Sequence, residues 1–148
     1  KTKSKDTIFT EEFYQLPSIN DASALIAKWD RIRAMRSDIT KAIEFEREAG
    51  NVGSSLQAEL QIEAPASDAA LLKSLGEDLK FITITSSVNV TENASLEEIK
   101  VTVKSSSHQK CGRCWHYRED VGHDAEHPTL CGRCTSNLFG DGEKRHIA

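Results

Sequence analysis

The residues of this chain that are best suited to chemistry are four cysteines, which form two Cys-x-x-Cys pairs. Cys111 and Cys114 make one pair and Cys131 and Cys134 the other, with 16 residues between the pairs. Each pair can present two thiolates from a tight turn, so the spacing predicts a tetrahedral site of four sulfurs for one metal ion per chain. Zinc is the expected occupant, although iron in a rubredoxin-like site fits the same geometry.

Two disulfides are the alternative use of these four cysteines. Sulfurs within one Cys-x-x-Cys turn are badly placed to pair with each other. The chain shows no signal-type apolar run that would indicate export, and it begins with Lys1 rather than Met. We therefore expect a piece of a longer cytoplasmic protein with no membrane segment.

Composition divides the chain into three parts. Its 148 residues are 38% hydrophobic, enough for one or two small cores. Residues 49–105 carry four basic and eight acidic side chains, which accounts for the net charge of −4. Residues 106–148 carry six of each and all five histidines. An anionic partner is therefore least expected in the middle part.

The first part is dominated by a helical period. An N-cap at Asn20 or Asp21 and a stop at Gly50 predict one long helix that ends near Glu48. Its apolar stripe consists of Leu25, Trp29, Ile32, Met35, Ile39, Ala42 and Ile43. One helix cannot bury such a stripe alone, so we expect partner helices of a bundle that lie outside this chain or are supplied by its short N-terminal segment.

Arg36 is an anomaly on this helix, because it falls within the apolar stripe on a helical wheel. An unpaired charge in such a place costs several kcal/mol, so we expect an acidic or carbonyl partner within the bundle, with a role facing RNA as the alternative. Arg31, Arg33 and Lys41 lie on other faces, and we expect them to serve solubility only.

A period of two follows Gly53. Residues 56–64 alternate between apolar and polar side chains and predict a strand that ends at Pro65. A short helix with a cap at Ser67 or Asp68 should follow. It would carry Leu71, Leu72, Leu75 and Leu79.

Two more strands complete the middle part. Residues 81–85, extended to residue 90, predict the second strand and residues 99–104 the third. The first two strands should pair in parallel and the third should join antiparallel. The predicted fold is α+β, with a long bundle-type helix, a small β-α-β-β unit and a zinc-knuckle module built on the four cysteines. The predicted domains are residues 1–50, residues 51–105 as a junction domain, and residues 106–148.

Several sequence stretches together resemble a known family. Residues 35–58 are similar to the end of the anticodon-binding helical domain of class I synthetases for aliphatic amino acids. The stretches 110–117, Cys131-Gly-Arg-Cys134 and 140–145 closely resemble the C-terminal zinc module of bacterial isoleucyl-tRNA synthetases. Gly112 stands where proline is common in that module, a change that keeps the turn.

The resemblance implies an enzyme that joins isoleucine to its tRNA with ATP. Catalysis and ATP binding would belong to upstream domains, because neither the His-x-Gly-His nor the Lys-Met-Ser-Lys type of signature occurs here. This chain would be inactive alone and would bind isoleucine-accepting tRNA near the anticodon, as part of a monomeric cytoplasmic protein. Residues 1–50 would be the end of the helical anticodon-binding domain.

Five residues are candidates for RNA contact. Arg113 and Arg133 each precede a ligand; they could balance thiolate charge or bind phosphate and guanine. Trp115 could cover the knuckle, or stack on an unpaired base as the resemblance implies. Lys144 and Arg145 could contact phosphates or form a solvated tail.

Three other aromatic side chains lie close to the cysteines in sequence. His116 and His127 are expected outside the ligand set, since four thiolates already complete it, and Tyr117 is expected to pack on the knuckle.

Two other functions remain open. One is the zinc finger of a DNA-repair glycosylase, which has similarly spaced cysteine pairs but should follow a helical DNA-binding region. The other is a purely structural zinc module that docks on its own enzyme.

Overall fold

The fold consists of a long helix, a three-stranded sheet with short helices, and a small cysteine-containing module. The structure is a computed structural model that describes residue 9 and residues 12–143. The helices are α1 (Ala22–Glu48), α2 (Ala66–Lys73), α3 (Leu79–Thr83) and α4 (Gly132–Phe139). The strands are β1 (Ala58–Ala64), β2 (Ser87–Glu92), β3 (Lys100–Ser105), β4 (Gln109–Lys110) and β5 (Tyr117–Arg118). None of the described helices combines the length and apolarity needed to cross a membrane.

The sheet has the order β2-β1-β3. As predicted, β1 pairs with β2 in parallel and with β3 antiparallel. The alternation along β1 is also confirmed, since its apolar residues are buried and Gln61 on the other face is exposed. On that outer face Glu63 lies 3.2 Å from the ammonium of Lys100 on β3. The apolar face of β1 therefore points to the core, and its polar face stays in solvent.

Helix α1 packs on this sheet unit, which corrects the expectation that its stripe needs bundle helices outside the chain. Its buried residues share one core with β1, α2 and α3. They are Ile32, Met35, Ile39 and Ile43. The stripe is unburied only near its start, where Leu25 is 47% exposed. The helix begins after its N-cap Asp21, and the left-handed Gly50 (φ 78°) follows its end, as expected.

The second strand was predicted to begin too early, because residues 81–85 do not form a strand, whereas residues 87–90 of its extension do. Leu72, Leu75 and Leu79 keep a helical spacing and are all buried. After α2 the chain therefore forms a 3₁₀ turn (Gly76–Asp78) and then α3, which ends at Thr83. The Thr83 hydroxyl donates to the carbonyl of Leu79 at 3.0 Å. Tertiary packing of the leucines overrides the strand propensity of the β-branched residues, and the strand starts only at Ser87.

The arginine with a buried partner is Arg31, not Arg36. Arg36 is exposed, and its Nε donates to the carbonyl of Ile82 at 2.7 Å. A carbonyl partner was expected, but it comes from α3 rather than from a bundle. Arg31 instead forms a two-point pair with Asp68, with Nε 2.9 Å from Oδ1, and that carboxylate side chain is 8% exposed. Arg31 therefore has a structural role that the sequence prediction missed.

Candidate metal centre

The two cysteine pairs meet in the second half of the chain. The four Sγ atoms all lie within 4.8 Å of one another, and they are the one such group found among the described residues. Cys111, Cys131 and Cys134 are buried, whereas Cys114 is partly exposed. This separation suits four thiolates around a single ion, which leaves no coordination position open for a substrate.

Each pair is presented by a tight backbone turn. The first turn lies between β4 and β5, where the amide of Trp115 donates to the carbonyl of Cys111 at 3.0 Å. The second opens α4, with Cys131 as its N-cap and the amide of Thr135 donating to the Cys131 carbonyl at 3.0 Å. Amide groups in these turns point toward sulfur; the amide of Cys131 lies 3.4 Å from Cys111 Sγ.

Hydrogen bonds join the two turns. The amide of Gly112 donates to the carbonyl of Thr129 at 2.9 Å, a bond that a proline at this position could not make. Asp120 accepts from Nε of Arg118 at 3.0 Å and from the amide of Gly132 at 3.0 Å. Burial acts to raise the pKa of Asp120, but these donors outweigh it and the pKa is lowered. This carboxylate therefore ties β5 to the start of α4.

The thiol environment fits a divalent cation. Burial raises the pKa of Cys114 to about 12 and also raises the pKa of Cys131. Burial acts against ionisation of Cys111 too, but backbone N–H donors, led by that of Cys114, outweigh it and lower the pKa to about 6. Four sulfurs this close cannot all ionise without a counter-charge, and a bound cation supplies it.

The two nearby histidines lie outside the sulfur group, and that group contains cysteines only. Nδ1 of His116 lies 3.2 Å from the carbonyl of Cys114, and its buried Nε2 has no hydrogen-bond partner in the structure. Burial lowers the pKa of His116, which favours its neutral form. The ring of His127 stacks on Phe139, with centroids 3.9 Å apart.

Trp115 and Arg113 stand on the outside of the first turn. Trp115 is 57% exposed and has a left-handed backbone (φ 66°), which is uncommon for a side chain of this size. The ammonium of Lys110 lies 5.3 Å from the centre of its ring. Arg113 is also exposed, with one guanidinium nitrogen 3.7 Å from Cys134 Sγ. Lys110 was not singled out from the sequence, although a basic residue directly before a ligand is a usable signal.

Arg133 is placed differently. Its guanidinium pairs at two points with Glu143, with one N–O distance of 2.8 Å, and lies 4.9 Å from the centre of the Phe81 ring. Hydrogen bonding to Glu143 raises the pKa of Arg133. Lys144 and Arg145 lie outside the described residues, so their predicted RNA contact stays a prediction.

Comparison with known proteins identifies the module and its context. Residues 109–137 match a family model described as a zinc finger found in FPG and IleRS. The clustered sulfurs and this match together support a site for one zinc ion.

The chain is also similar to isoleucine–tRNA ligases over nearly its whole length. It is 55% identical over 142 residues to the ligase of Janthinobacterium sp. (strain Marseille), 51% over 147 to that of Cupriavidus metallidurans and 54% over 143 to that of Paraburkholderia phymatum. These alignments cover 96%, 99% and 97% of this chain, but only 15% of each ligase.

Proposed function

Since the chain belongs to the isoleucine–tRNA ligase family as a segment equal to 15% of its relatives' length, we propose that it is the tRNA-binding part of such an enzyme. ATP-dependent ligation of isoleucine to its tRNA would take place in other domains of the same protein, and this segment alone would be inactive. Its partners would be isoleucine-accepting tRNA, near the anticodon, and those upstream domains. The enzyme would work in the cytoplasm as a monomer.

The observation that carries this proposal is the exposed ring of Trp115, which lies beside the ammonium of Lys110 on the first cysteine turn. More than half of Trp115 is open to solvent, which leaves its ring accessible to an unstacked base. Stacking of one base on an aromatic side chain contributes about 1–3 kcal/mol. A left-handed conformation at a large residue costs about 1–2 kcal/mol, and such strain tends to persist where a side chain has a function.

The charged residues of the module support RNA binding at the same surface. The charges of Arg118 and Arg133 are balanced by their partners Asp120 and Glu143. Within the described residues, neither Lys110 nor Arg113 forms an ion pair with a carboxylate. Lys110 lies beside the Trp115 ring, whereas one guanidinium nitrogen of Arg113 lies 3.7 Å from Cys134 Sγ. Although residues 106–148 have balanced charge overall, the ammonium of Lys110 lies beside the ring without a carboxylate partner among the described residues, and it would attract an RNA phosphate there.

The zinc ion would have a structural role here. When bound, it holds the four thiolates and offsets two of their four negative charges; with four sulfurs it presents no open coordination position for a substrate. The residues of the chain do the recognition: Trp115 stacks on a base, while Arg113 and Lys110 donate charged hydrogen bonds to phosphate or a guanine edge. Contact by Arg133 stays a prediction, and its pairing with Glu143 makes it the less available arginine.

Two alternatives are less favoured by specific observations. The zinc-finger match describes FPG as well as IleRS, so the module alone does not separate RNA from DNA binding. The similarity to isoleucine–tRNA ligases extends through the long helix and the sheet unit, which favours the ligase context. A purely structural module gives no reason for exposing Trp115 beside Lys110.

The proposal is tested by Trp115→Ala in the full-length enzyme. We expect tRNA charging to weaken by about 1–3 kcal/mol in transition-state terms, while ATP-dependent activation of isoleucine is unchanged. Leu138→Ala is a matched control, because Leu138 is 46% exposed on the same module. Zinc content is measured in each variant. Equal charging by the native enzyme and by zinc-loaded Trp115→Ala and Arg113→Ala variants would leave only a structural role for the module.

A further inference from the structure

Phe81 lies where the zinc module meets the sheet unit, and it touches both cysteine turns. Its ring meets the imidazole of His116 edge to face, with centroids 5.4 Å apart and planes at 78°. The guanidinium of Arg133, in the second turn, lies 4.9 Å from the centre of the same ring. A single side chain of α3 therefore contacts the residue that follows Trp115 and the arginine between the second pair of cysteines.

A buried hydroxyl also connects the sheet unit to the zinc module. The amide of Tyr117 donates to Oγ of Ser86 at 2.6 Å, and that hydroxyl donates in turn to the carbonyl of Leu56. The amide of Ser86 also donates to the carbonyl of Ala58 at 3.0 Å. Through Ser86, strand β5 of the module is thus attached to the start of β1, which belongs to the apolar core.

The segment that carries Phe81 and Ser86 is itself held firmly. The hydroxyls of Thr83 and Thr85 are buried and lie 2.8 Å apart. Ile84 between them has a left-handed backbone (φ 57°), a conformation that a β-branched residue rarely adopts. This unusual turn brings Phe81 on α3 and Ser86 before β2 to the same side of the sheet unit, facing the module.

We propose that Phe81 is a positioning residue for tRNA recognition, and this inference rests on the proposed function. Phe81 and Ser86 hold His116 and Tyr117, the two residues after Trp115, so the direction in which Trp115 faces is set by the sheet unit as well as by the metal. Arg133 contributes to this arrangement through its contact with the Phe81 ring. A module fixed before it meets tRNA loses less conformational freedom on binding.

The experiment compares Phe81→Leu with Phe45→Leu in this 148-residue chain loaded with zinc. Phe81→Leu removes the ring and keeps apolar volume, and Phe45, 70% exposed on α1, provides the matched control. We expect Phe81→Leu to keep one zinc per chain and to speed hydrogen exchange of the Tyr117 amide at least threefold. Binding of isoleucine tRNA should weaken by about threefold to tenfold, which is the effect expected from loss of one ring contact. The amide of Cys111, bonded within its turn to the carbonyl of His116, should exchange at the native rate. Phe81→Tyr, which keeps the ring, should restore both exchange and binding.

The possible outcomes distinguish the contact between the sheet unit and the module from recognition of tRNA. The positioning role is overturned if the Tyr117 amide exchanges as slowly in Phe81→Leu as in Phe45→Leu. It is also overturned if Phe81→Leu speeds this exchange but leaves tRNA binding unchanged, while Trp115→Ala does weaken tRNA binding. If neither Trp115→Ala nor Phe81→Leu weakens binding but Tyr117 exchange accelerates, the contact between the sheet unit and the module is supported and the proposed tRNA function fails.

Discussion

The sheet unit and the zinc module are stabilised by different interactions. In the sheet unit, 13 buried apolar residues from α1, β1, the short helices and the adjoining loops form one core, and eight partly buried side chains pack against it. In the module, the buried cluster consists of three cysteines and Val121, with Cys114 and Leu130 at its edge. The first region can fold around apolar surface, whereas the second has almost none to bury.

This difference explains the character of each surface. A region held by a metal and by backbone hydrogen bonds does not need its aromatic residues inside, so Trp115 and Phe139 remain 57% and 62% exposed. Small domains with too little apolar surface depend on such supports. The module is therefore suited to present a ring outward, while the sheet unit supplies a firm base.

The strongest test of the comparison is removal of two sulfurs by Cys111→Ser/Cys114→Ser. Structural zinc sites contribute about 10–16 kcal/mol of apparent binding free energy in zinc-finger peptides at pH 7, so we expect loss of the zinc and unfolding of residues 106–148. The sheet unit should keep its cooperative unfolding, since its core is separate. Metal content by atomic absorption and unfolding by circular dichroism measure the two effects.

Three results would contradict this account. The variant could retain one zinc per chain, or the native chain could bind two. Collapse of the sheet unit on loss of zinc would show instead that the two regions fold as one.

The converse change weakens the apolar core through Ile62→Ala. Ile62 is fully buried in β1, and removal of such a side chain costs about 2–5 kcal/mol of unfolding free energy. Zinc affinity should change little. Urea unfolding with a parallel zinc titration makes the measurement, and Ile26→Ala, at a 59% exposed position on α1, is the control. Equal loss of stability in both variants would mean that β1 is not central to the core.

A smaller effect is expected from the ion pair that attaches α2 to α1. Arg31→Met leaves the buried carboxylate of Asp68 without its partner. We expect the unfolding free energy to fall by about 1–3 kcal/mol, which is less than for a fully buried pair because the Arg31 side chain is 49% exposed. Arg36→Met removes one exposed contact to a carbonyl and should cost less. The melting temperatures of the two variants decide the order; a larger drop for Arg36→Met would reverse the assignment.

Local patterns predicted much of this molecule. The cysteine spacing indicated the sulfur site, the period of two along β1 indicated its buried face, and Gly50 marked the end of α1. These features depend on residues close in sequence. The placement of residues 81–85 failed because it depends on where Leu75 and Leu79 pack, which is a tertiary matter.

Long-range partners could not be found in the same way. Arg31 and Asp68 are 37 residues apart, and Ser86 and Tyr117 are 31 apart. A helical wheel showed Arg36 inside an apolar stripe but not the sheet that covers the stripe. The contact of Phe81 with both turns likewise follows from docking of two regions, which no local pattern encodes.

The most direct test of the proposed function is binding of the zinc-loaded chain to isoleucine tRNA and to duplex DNA of matched charge, with Trp115→Ala in parallel. We expect tighter binding to tRNA than to the duplex, and a loss of about 1–3 kcal/mol for tRNA on removal of the ring. Binding that is equal for the two nucleic acids and unaffected by Trp115→Ala, or absent for both, would contradict recognition of tRNA by this module.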